Sequence, residues 1–242
     1  MRQLTEINQL PLKLLEYMAE PDYYLPIYKN TFLFRQGEPV KELYVIVSGQ
    51  VVIGKTSPEG RELTLRFCGP NDLIGEFIID DLPINYLVDG KVTATGEVAV
   101  FDQKKLLDQL QHQPEAMMEF LKFANLQHRK DQMRFRDLLL YGKKGALYST
   151  LIRLVNSYGR AIDDGILIDI QLTNQEIANF CATSRESINR MLSELKKQQV
   201  IRIDQGKITV LQLDVIKKEI NCENCNKFNT CNYSKGGSGC GY

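Results

Sequence analysis

Residues 173–195 read TNQEIANFCATSRESINRMLSEL and carry signals for two short helices joined by a tight turn. Thr173 is a suitable N-cap residue, and Glu176 completes a capping box three residues later. The second helix is expected to begin after Ser184. Two helices at this spacing are typical of a helix-turn-helix, whose second helix enters the major groove of DNA.

The second helix has an apolar and a polar face. Its apolar face consists of Ile188, Met191, Leu192 and Leu195. The polar face suits base reading, because arginine pairs with guanine O6 and N7 and glutamate accepts a hydrogen bond from cytosine N4. The alternative is an ordinary solvated surface. The predicted DNA-binding residues are Thr173, Ser184, Arg185, Glu186, Asn189 and Arg190, with the first two expected on phosphates.

Two β-rich runs, 200–203 and 207–210, follow the second helix and flank the turn Asp204-Gln205-Gly206. They predict a β-hairpin wing, which favours DNA binding over the solvated surface. Residues 141–220 carry 12 Lys or Arg against 9 Asp or Glu, although the whole chain has no formal net charge. The basic excess therefore lies in the half that would approach phosphates.

Between residues 27 and 101 the chain consists of short β-rich runs separated by glycines. Many short strands at regular spacing predict a β-barrel or jelly roll. Ser48-Gly49 and Pro58-Glu59-Gly60 are each expected to form a tight turn.

From residue 114 to residue 140 the apolar spacing changes to that of a helix. Such a helix spans on the order of 38 Å at about 1.5 Å per residue, more than one small barrel covers. We therefore expect it to pack against a second copy of the chain, and packing on its own barrel is the alternative. The predicted seam residues are Met117, Leu121, Ala124, His128, Phe135 and Leu138.

The segment Tyr141-Gly142-Lys143-Lys144-Gly145 interrupts the helical pattern and predicts a hinge. The predicted fold class is α+β, in four parts. A β-barrel domain is expected over 1–112, and a dimerisation helix with its hinge over 113–142. A winged helix-turn-helix domain is expected over 143–219, and a Cys-rich tail over 220–242.

The composition is that of a soluble globular protein, with 43% hydrophobic and 25% charged residues. No run of about 18 apolar residues is present, so no membrane partner is expected and the predicted location is the cytoplasm. The sequence shows no nucleophile and base grouping and no phosphate-binding loop, so an enzyme is not expected.

Four of the six cysteines lie in the tail, at Cys222, Cys225, Cys231 and Cys240. In a reducing compartment, clustered cysteines point to metal or redox chemistry and not to structural disulfides. The thiolates of the first three suit an iron–sulfur cluster. The alternatives are zinc, a thiol–disulfide switch, and a redox protein that does not bind DNA. Cys68 and Cys181 are expected to be structural.

Several motifs resemble the Crp/Fnr family of bacterial transcription regulators, over nearly the whole chain. They are FRQGE at 34–38, LY at 43–44, DLIGE at 72–76, LTNQEIA at 172–178 and TSRESINRML at 183–192. The resemblance implies a cyclic-nucleotide-binding-type β jelly-roll barrel, a long dimerisation helix and a C-terminal winged helix-turn-helix. It further implies a homodimer that binds a TGTGA-like palindrome through Arg185, Glu186 and Arg190, with RNA polymerase as a partner.

Family members that bind cyclic nucleotides follow a Gly-Glu pair with Arg-Ser or Arg-Thr, which holds the phosphate. Here Gly75-Glu76 is followed by FIIDDLPINYL over 77–87, with two acids and no basic residue. A buried phosphate without a cation is strongly unfavourable. No cyclic nucleotide is expected, and the barrel is interpreted as a scaffold.

Residues 136–151, RDLLLYGKKGALYSTL, together with the Cys-x-x-Cys motif of the tail resemble the Bacillus-type Fnr subgroup. The resemblance implies an oxygen-sensing regulator of anaerobic metabolism, such as nitrate respiration or fermentation genes, with a C-terminal 4Fe-4S cluster. It implies three cysteines and one aspartate as ligands, and the aspartate matches Asp137. Cys240 is the alternative fourth ligand. Asp137 lies near the end of the dimerisation helix, so a cluster held by Asp137 and the tail would join the DNA-binding domain to that helix. Loss of the cluster is then expected to free the DNA-binding domain.

Overall fold

The computed structural model describes residues 14, 18, 20–60, 62–77 and 83–222. It has two compact units. The barrel unit contains the described residues of 8–60 and 65–127, and the C-terminal unit contains 62–64 and 128–222. Among the described residues, no helix combines the length and apolar character that a membrane span requires.

The barrel unit is built on six strands. They are β1 Tyr23–Ile27, β2 Phe32–Phe34, β3 Glu42–Thr56, β4 Glu62–Cys68, β5 Leu73–Ile74 and β6 Asp89–Asp102. The sheet order is β1-β6-β3-β4, with β2 paired to β6 and β5 paired to β3. Helix α1, Gln103–Gln111, follows β6 directly and is capped by the Asp102 carboxylate, which accepts from the backbone N–H groups of Lys104 and Lys105.

Alternate residues of the long strands enter two different cores, because successive side chains of a strand point to opposite faces. Tyr44 and Ile46 of β3 join the core inside the barrel. Leu43 and Val45 join a second core that includes Leu106 of α1 and further residues up to 123. Protein therefore covers both faces of β3 around residues 43–46.

The predicted turn at Ser48-Gly49 is wrong, whereas the turn at Pro58-Glu59-Gly60 is confirmed by a hydrogen bond from Gly60 N to Ser57 O of 2.9 Å. Ser48 and Gly49 lie inside β3, where the register with β6 shifts between Ile46 and Val51. Gly49 has φ 87° and faces Gly96 of β6. A glycine within a strand can mark a bulge as readily as a turn, and only the pairing with β6 distinguishes the two.

Helix α2, Pro114–Tyr158, is interrupted at Gly142, whose φ of 58° and ψ of −153° are not helical. This single residue breaks the helix within the segment predicted as a hinge. The two parts, 114–141 and 143–158, are called the first and second segments of α2. A backbone with this φ favours glycine, because a Cβ would be strained there.

The first segment of α2 carries an exposed stripe that includes Leu121, His128 and Phe135 of the predicted seam and differs from that seam at its other positions. Met117 packs against the second core of the barrel unit, and Leu138 is half-buried. The exposed positions instead recur at spacings of three and four, at Met118, Leu121, Asn125, His128, Gln132, Phe135 and Leu139. This spacing is that of a coiled-coil seam. Consecutive residues of a helix are rotated by about 100° about its axis. At the positions where the prediction fails, it is off by one residue, because the periodicity alone does not distinguish two neighbouring faces.

The C-terminal unit contains the predicted winged helix-turn-helix. After the second segment of α2 come β7 Gly159–Ile162, β8 Gly165–Ile168, α3 Asn174–Phe180, α4 Arg185–Lys197, β9 Ile201–Asp204, β10 Lys207–Val210 and α5 Leu213–Glu219. The sheet order is β7-β8-β10-β9. Strand β7 was not predicted, because it follows the helix without an intervening turn.

Replacing Gly96 by Ala is expected to destabilise the barrel unit by roughly 1–3 kcal/mol, because an added Cβ would lie 2.1 Å from Ser48 O. Gly37→Ala is the control: Gly37 has a positive φ of 87°, and no atom lies within 4 Å of an added Cβ. Its loss should be only that of backbone strain, about 1 kcal/mol. Scanning calorimetry measures the stability of both variants. A Gly96→Ala protein that melts at the wild-type temperature would contradict the close approach of Gly96 to Ser48.

Candidate functional site

The first helix of the motif, α3, begins with the predicted capping box. Glu176 N donates to Thr173 Oγ1 over 3.2 Å, and Thr173 N donates to Glu176 Oε2 over 2.7 Å. The Thr173 hydroxyl also donates to Glu176 Oε2 over 2.8 Å. The hydroxyl proton is thus engaged within the protein, and the phosphate contact of Thr173 stays a prediction.

The turn between the two helices places a small buried side chain against the second segment of α2. Cys181 is buried, and its Sγ lies 3.7 Å from Thr150 Oγ1. Burial raises the pKa of the Cys181 thiol to about 12, which keeps it protonated and unreactive at neutral pH. Ala182 follows with φ 47° and reverses the chain. These features fit the structural role expected for Cys181.

The second helix, α4, has a buried face and an exposed polar face, as predicted. Ser184 caps it by accepting from Ser187 N over 3.3 Å. Ile188, Leu192 and Leu195 are buried. The exposed residues are the four predicted base readers, Arg185, Glu186, Asn189 and Arg190.

The charges on the exposed face of α4 are available for DNA. Hydrogen bonds from its own backbone N–H and from Ser184, together with the charge of Arg185, lower the pKa of Glu186. Glu186 is therefore an anion at neutral pH and acts only as an acceptor, as reading cytosine N4 requires. In the described part of the chain, no carboxylate lies within salt-bridge distance of Arg185 or Arg190.

Asn189 is held by the preceding helix. The side-chain amide of Asn174 donates to Asn189 Oδ1. Asn189 is exposed, and because its oxygen is occupied, its NH₂ group is the part of the amide expected to donate to a base or a phosphate. The sequence did not predict this contact, because it joins residues 15 apart across the turn.

The cations of the winged sheet are paired with acids. Lys207 Nζ lies 2.6 Å and Arg160 Nη1 3.2 Å from the carboxylate of Asp169. Arg202 pairs with Asp164 and, at 2.6 Å, with Asp204. These pairs offset the positive charge of the sheet, so the unpaired cations of α4 are better placed to bind DNA than those of the wing.

The barrel retains the Gly-Glu pair but uses its glutamate internally. Glu76 Oε1 accepts from Leu87 N over 2.7 Å, and Glu76 O accepts from the Gln103 amide over 2.5 Å. Inside the barrel, the ring of Phe34 stacks on that of Tyr86 with centroids 4.1 Å apart. The interior described here is packed by its own aromatic and aliphatic side chains.

The predicted metal ligands are only partly described. Cys225, Cys231 and Cys240 lie outside the described residues. Cys222 is half-exposed and is not in a disulfide, and its N–H donates to Lys217 O over 2.8 Å. Among the described residues, no group of three or more His, Cys, Asp or Glu side chains is arranged to hold a metal ion.

Helix α5, which leads into Cys222, is attached to the second segment of α2. Glu219 Oε2 lies 2.9 Å from Lys144 Nζ, and this ammonium lies 5.3 Å from the centroid of the Tyr148 ring. Ile216 and Ile220 are buried on the same helix. The start of the tail is thereby held next to the first residues after Gly142.

Asp137, the predicted fourth ligand, is buried near the end of the first segment of α2. Its Oδ2 accepts from the Ser149 hydroxyl over 2.5 Å and lies 3.6 Å from Arg153 Nη2. Its Oδ1 accepts from Nε and Nη2 of Arg136 over 3.1 and 2.9 Å. Sequence reasoning missed Ser149 and Arg153. The available signal was two polar residues, four apart, within the apolar face of a helix.

Comparisons with known proteins show the family. Residues 145–219 match the Crp-like helix-turn-helix domain, and residues 25–113 match the cyclic nucleotide-binding domain. The anaerobic regulatory protein of Bacillus subtilis is 50% identical over 198 residues, which cover 81% of this chain and 83% of that protein. The chain belongs to the Crp/Fnr family of transcription regulators. It is thus a DNA-binding protein of a family whose similar members are regulators and not enzymes.

A more distant relative and two solved structures are also similar to this chain. A CRP-like cAMP-activated global transcriptional regulator of Mycobacterium tuberculosis is 28% identical, over 74% of this chain and 79% of that protein. The structure of FixK2 from Bradyrhizobium japonicum matches with a TM-score of 0.69 at 15% identity, over 81% of this chain and 96% of that chain. TTHB099, a CRP family regulator from Thermus thermophilus, matches with a TM-score of 0.64 at 21% identity, over 81% and 96%. The predicted fold class is confirmed.

Replacing Arg185 by Ala is expected to weaken binding to a TGTGA palindrome by about 1–3 kcal/mol and to remove the preference at one base pair of each half-site. The control is Arg160→Ala, which removes a cation already paired with Asp169. It should change affinity by less than about 0.5 kcal/mol and leave specificity intact. Anoxic competition binding against all single-base variants of the half-site measures both. Unchanged base preferences in Arg185→Ala would refute the assignment.

Proposed function

We propose that this Crp/Fnr regulator controls genes of anaerobic metabolism, such as those of nitrate respiration or fermentation, in response to oxygen. It binds a TGTGA-like palindrome as a homodimer, with RNA polymerase as a partner, when a 4Fe-4S cluster in its tail is intact. The observation that carries the proposal is the 50% identity to a Bacillus subtilis protein named anaerobic regulatory protein. The exposed Arg185, Glu186 and Arg190 support the DNA site.

The effector is proposed to act outside the barrel. Residues 77–87 contain no Lys or Arg that could neutralise a cyclic phosphate. Glu76 is hydrogen-bonded to Leu87 N, and the described interior is packed by Phe34, Tyr44 and Tyr86 among others. A nucleotide would have to displace these contacts and bury its phosphate without a cation, which is unfavourable.

The proposed ligands of the cluster are Cys222, Cys225, Cys231 and Asp137. Thiolates are the usual ligands of iron–sulfur clusters, and a carboxylate is a harder and more exchangeable ligand on the same iron. Cys222 is half-exposed and follows α5, and its thiolate is the ligand type that such a cluster uses. The carboxylate of Asp137 fits only if it leaves at least one of its present partners, because both of its oxygens are engaged. Cys240 stays the alternative.

The cluster, when bound, supplies an oxygen-labile link between the residues that ligate it. In this chain, Lys144 and Glu219 hold the start of the tail against the second segment of α2. Asp137 belongs to the first segment, on the other side of Gly142. Ligands on both sides of this break would hold the two segments in a fixed orientation. They would thereby also hold the base-reading helix in a fixed orientation to the end of the dimerisation helix.

Two alternatives differ in what the tail holds. Zinc or a thiol–disulfide pair at the same cysteines would leave the fold and the DNA site unchanged. Zinc would make DNA binding insensitive to air, and a disulfide would make it respond to reductant without iron. The third alternative, a redox protein that does not bind DNA, is wrong, because the chain carries the Crp-like helix-turn-helix domain.

Anaerobically purified protein is expected to contain about four iron and four sulfide per chain and to lose both in air, together with most of its affinity for a TGTGA palindrome. Cys225→Ser and Cys231→Ser should abolish the cluster, whereas Cys68→Ser, which changes a buried barrel cysteine, should retain it. Iron and sulfide analysis, visible absorption and anisotropy of labelled DNA measure these effects. Colourless protein that binds equally well in air and under anoxia would rule the proposal out.

Replacing Phe135 by Glu is expected to raise the dimer dissociation constant at least ~100-fold, because it would bury two unpaired charges in the seam. Phe135 is 56% exposed on the stripe of the first segment of α2. Leu140→Glu is the control, since Leu140 is 69% exposed but lies off the stripe. Sedimentation velocity of the anoxic proteins measures the effect. If Leu140→Glu dissociates the dimer and Phe135→Glu does not, the seam is elsewhere.

A further inference from the structure

A buried ionic cluster crosses the break in α2. Asp137 is 3% exposed, Arg153 1% and Ser149 6%. Asp137 precedes Gly142, and the other two residues follow it. Arg153 Nε donates to Ser149 Oγ over 3.2 Å, and the Ser149 hydroxyl donates to Asp137 Oδ2 over 2.5 Å. Arg153 Nη2 lies 3.6 Å from the same oxygen.

These contacts join the two segments where the helical backbone does not. A helix is stiff because each N–H bonds to the carbonyl four residues earlier, and the conformation of Gly142 interrupts that series. Side chains must then define the angle between the segments. A short hydrogen bond to a carboxylate, backed by a buried guanidinium, is directional and strong in a site without water.

Arg153 also needs Asp137 for electrostatic reasons. A guanidinium that is 1% exposed is unfavourable unless an anion lies near it. The carboxylate of Asp137 lies within salt-bridge distance of Arg153 and supplies such an anion. Moving the carboxylate away therefore has a free-energy cost, and the arrangement seen here is a stable state of the hinge.

The same carboxylate is the proposed fourth ligand of the cluster, and the inference rests on that proposed function. The Asp137 side chain is 4% exposed, with Ser149 and Arg153 on one oxygen and Arg136 on the other. An iron ion needs a lone pair and an open approach to one of these oxygens. It cannot have both while Ser149, Arg153 and Arg136 keep their contacts with Asp137.

We propose that Asp137 exchanges between two sets of partners, Ser149 and Arg153 in the cluster-free chain and iron in the cluster-loaded chain. Ser149 and Arg153 are positioning residues, and they lock the hinge in a defined state that does not bind the operator well. Loss of the iron–sulfur cluster then returns Asp137 to Ser149 and Arg153 and does not simply free the DNA-binding domain. Each state is occupied according to how strongly its partners hold Asp137.

Weakening the lock is expected to favour the DNA-binding state in both forms of the protein. The cluster-free form should bind operator DNA better, because its locked state is less populated. The cluster-loaded form should lose its cluster more slowly in air, because the residues that compete with iron for Asp137 are weaker. A residue with a merely structural role would weaken both forms together.

Ser149→Ala is the variant that tests the exchange, since it removes one hydrogen bond and keeps Arg153. Cluster-free Ser149→Ala protein is expected to bind a TGTGA palindrome about tenfold more tightly than cluster-free wild type, the factor given by one hydrogen bond to a charged acceptor. Amide hydrogen exchange within residues 143–153 should be faster in the same sample. In the loaded protein, the visible absorption of the cluster should decay several-fold more slowly in air.

Ser157→Ala is the matched control, because Ser157 is a buried hydroxyl about two turns further along the same helix. It should match the wild type in all three measurements. Arg153→Lys, which keeps the charge but not the guanidinium geometry, should shift them in the same direction as Ser149→Ala.

The outcomes separate the exchange from the proposed function. Wild-type protein without iron under anoxia would overturn both. A normal, air-labile cluster with unchanged affinity and exchange in Ser149→Ala would overturn the exchange alone. An intact cluster with wild-type air lability in Asp137→Asn would also overturn the exchange, and would leave Cys240 as the fourth ligand.

Discussion

The buried carboxylate of Asp137 is the contact on which the arrangement of the C-terminal unit depends. Helix α2 is interrupted at Gly142, so backbone hydrogen bonds do not carry the direction of its first segment into its second. Ser149 and Arg153 connect the second segment to Asp137 in a region that excludes water. The proposed exchange of partners at this carboxylate would therefore change how the helix-turn-helix is held.

The barrel contributes a scaffold in this interpretation. Its strand β3 is covered on both faces around residues 43–46, and the glutamate of its Gly-Glu pair stabilises the loop that contains Leu87. The relative from Mycobacterium tuberculosis is described as cAMP-activated. The absence of a basic residue over 77–87 favours a different input here, and the proposed input is a cluster on the cysteines of the tail.

The DNA-binding face combines side chains that hydrogen bonds hold in place with exposed charged side chains that could contact DNA. Caps at Thr173 and Ser184 set the two helices of the motif, and Asn174 orients Asn189. Arg185 and Arg190 stay exposed, with no acid within salt-bridge distance in the part of the chain that the structure describes, whereas the wing cations are paired. We therefore expect specific contacts to be concentrated on α4 and nonspecific attraction by the wing to be reduced.

Local interactions are what the sequence determined by itself. The capping box, the exposed face of α4, the break near Gly142 and the turn at Pro58-Glu59-Gly60 each depend on residues a few positions apart. The tertiary structure alone decided that Ser48-Gly49 is a bulge, that Met117 belongs to the barrel core, and that Asp137 lies against Ser149 and Arg153. These depend on strand register, helix rotation and burial of charge, which arise only when distant segments pack together.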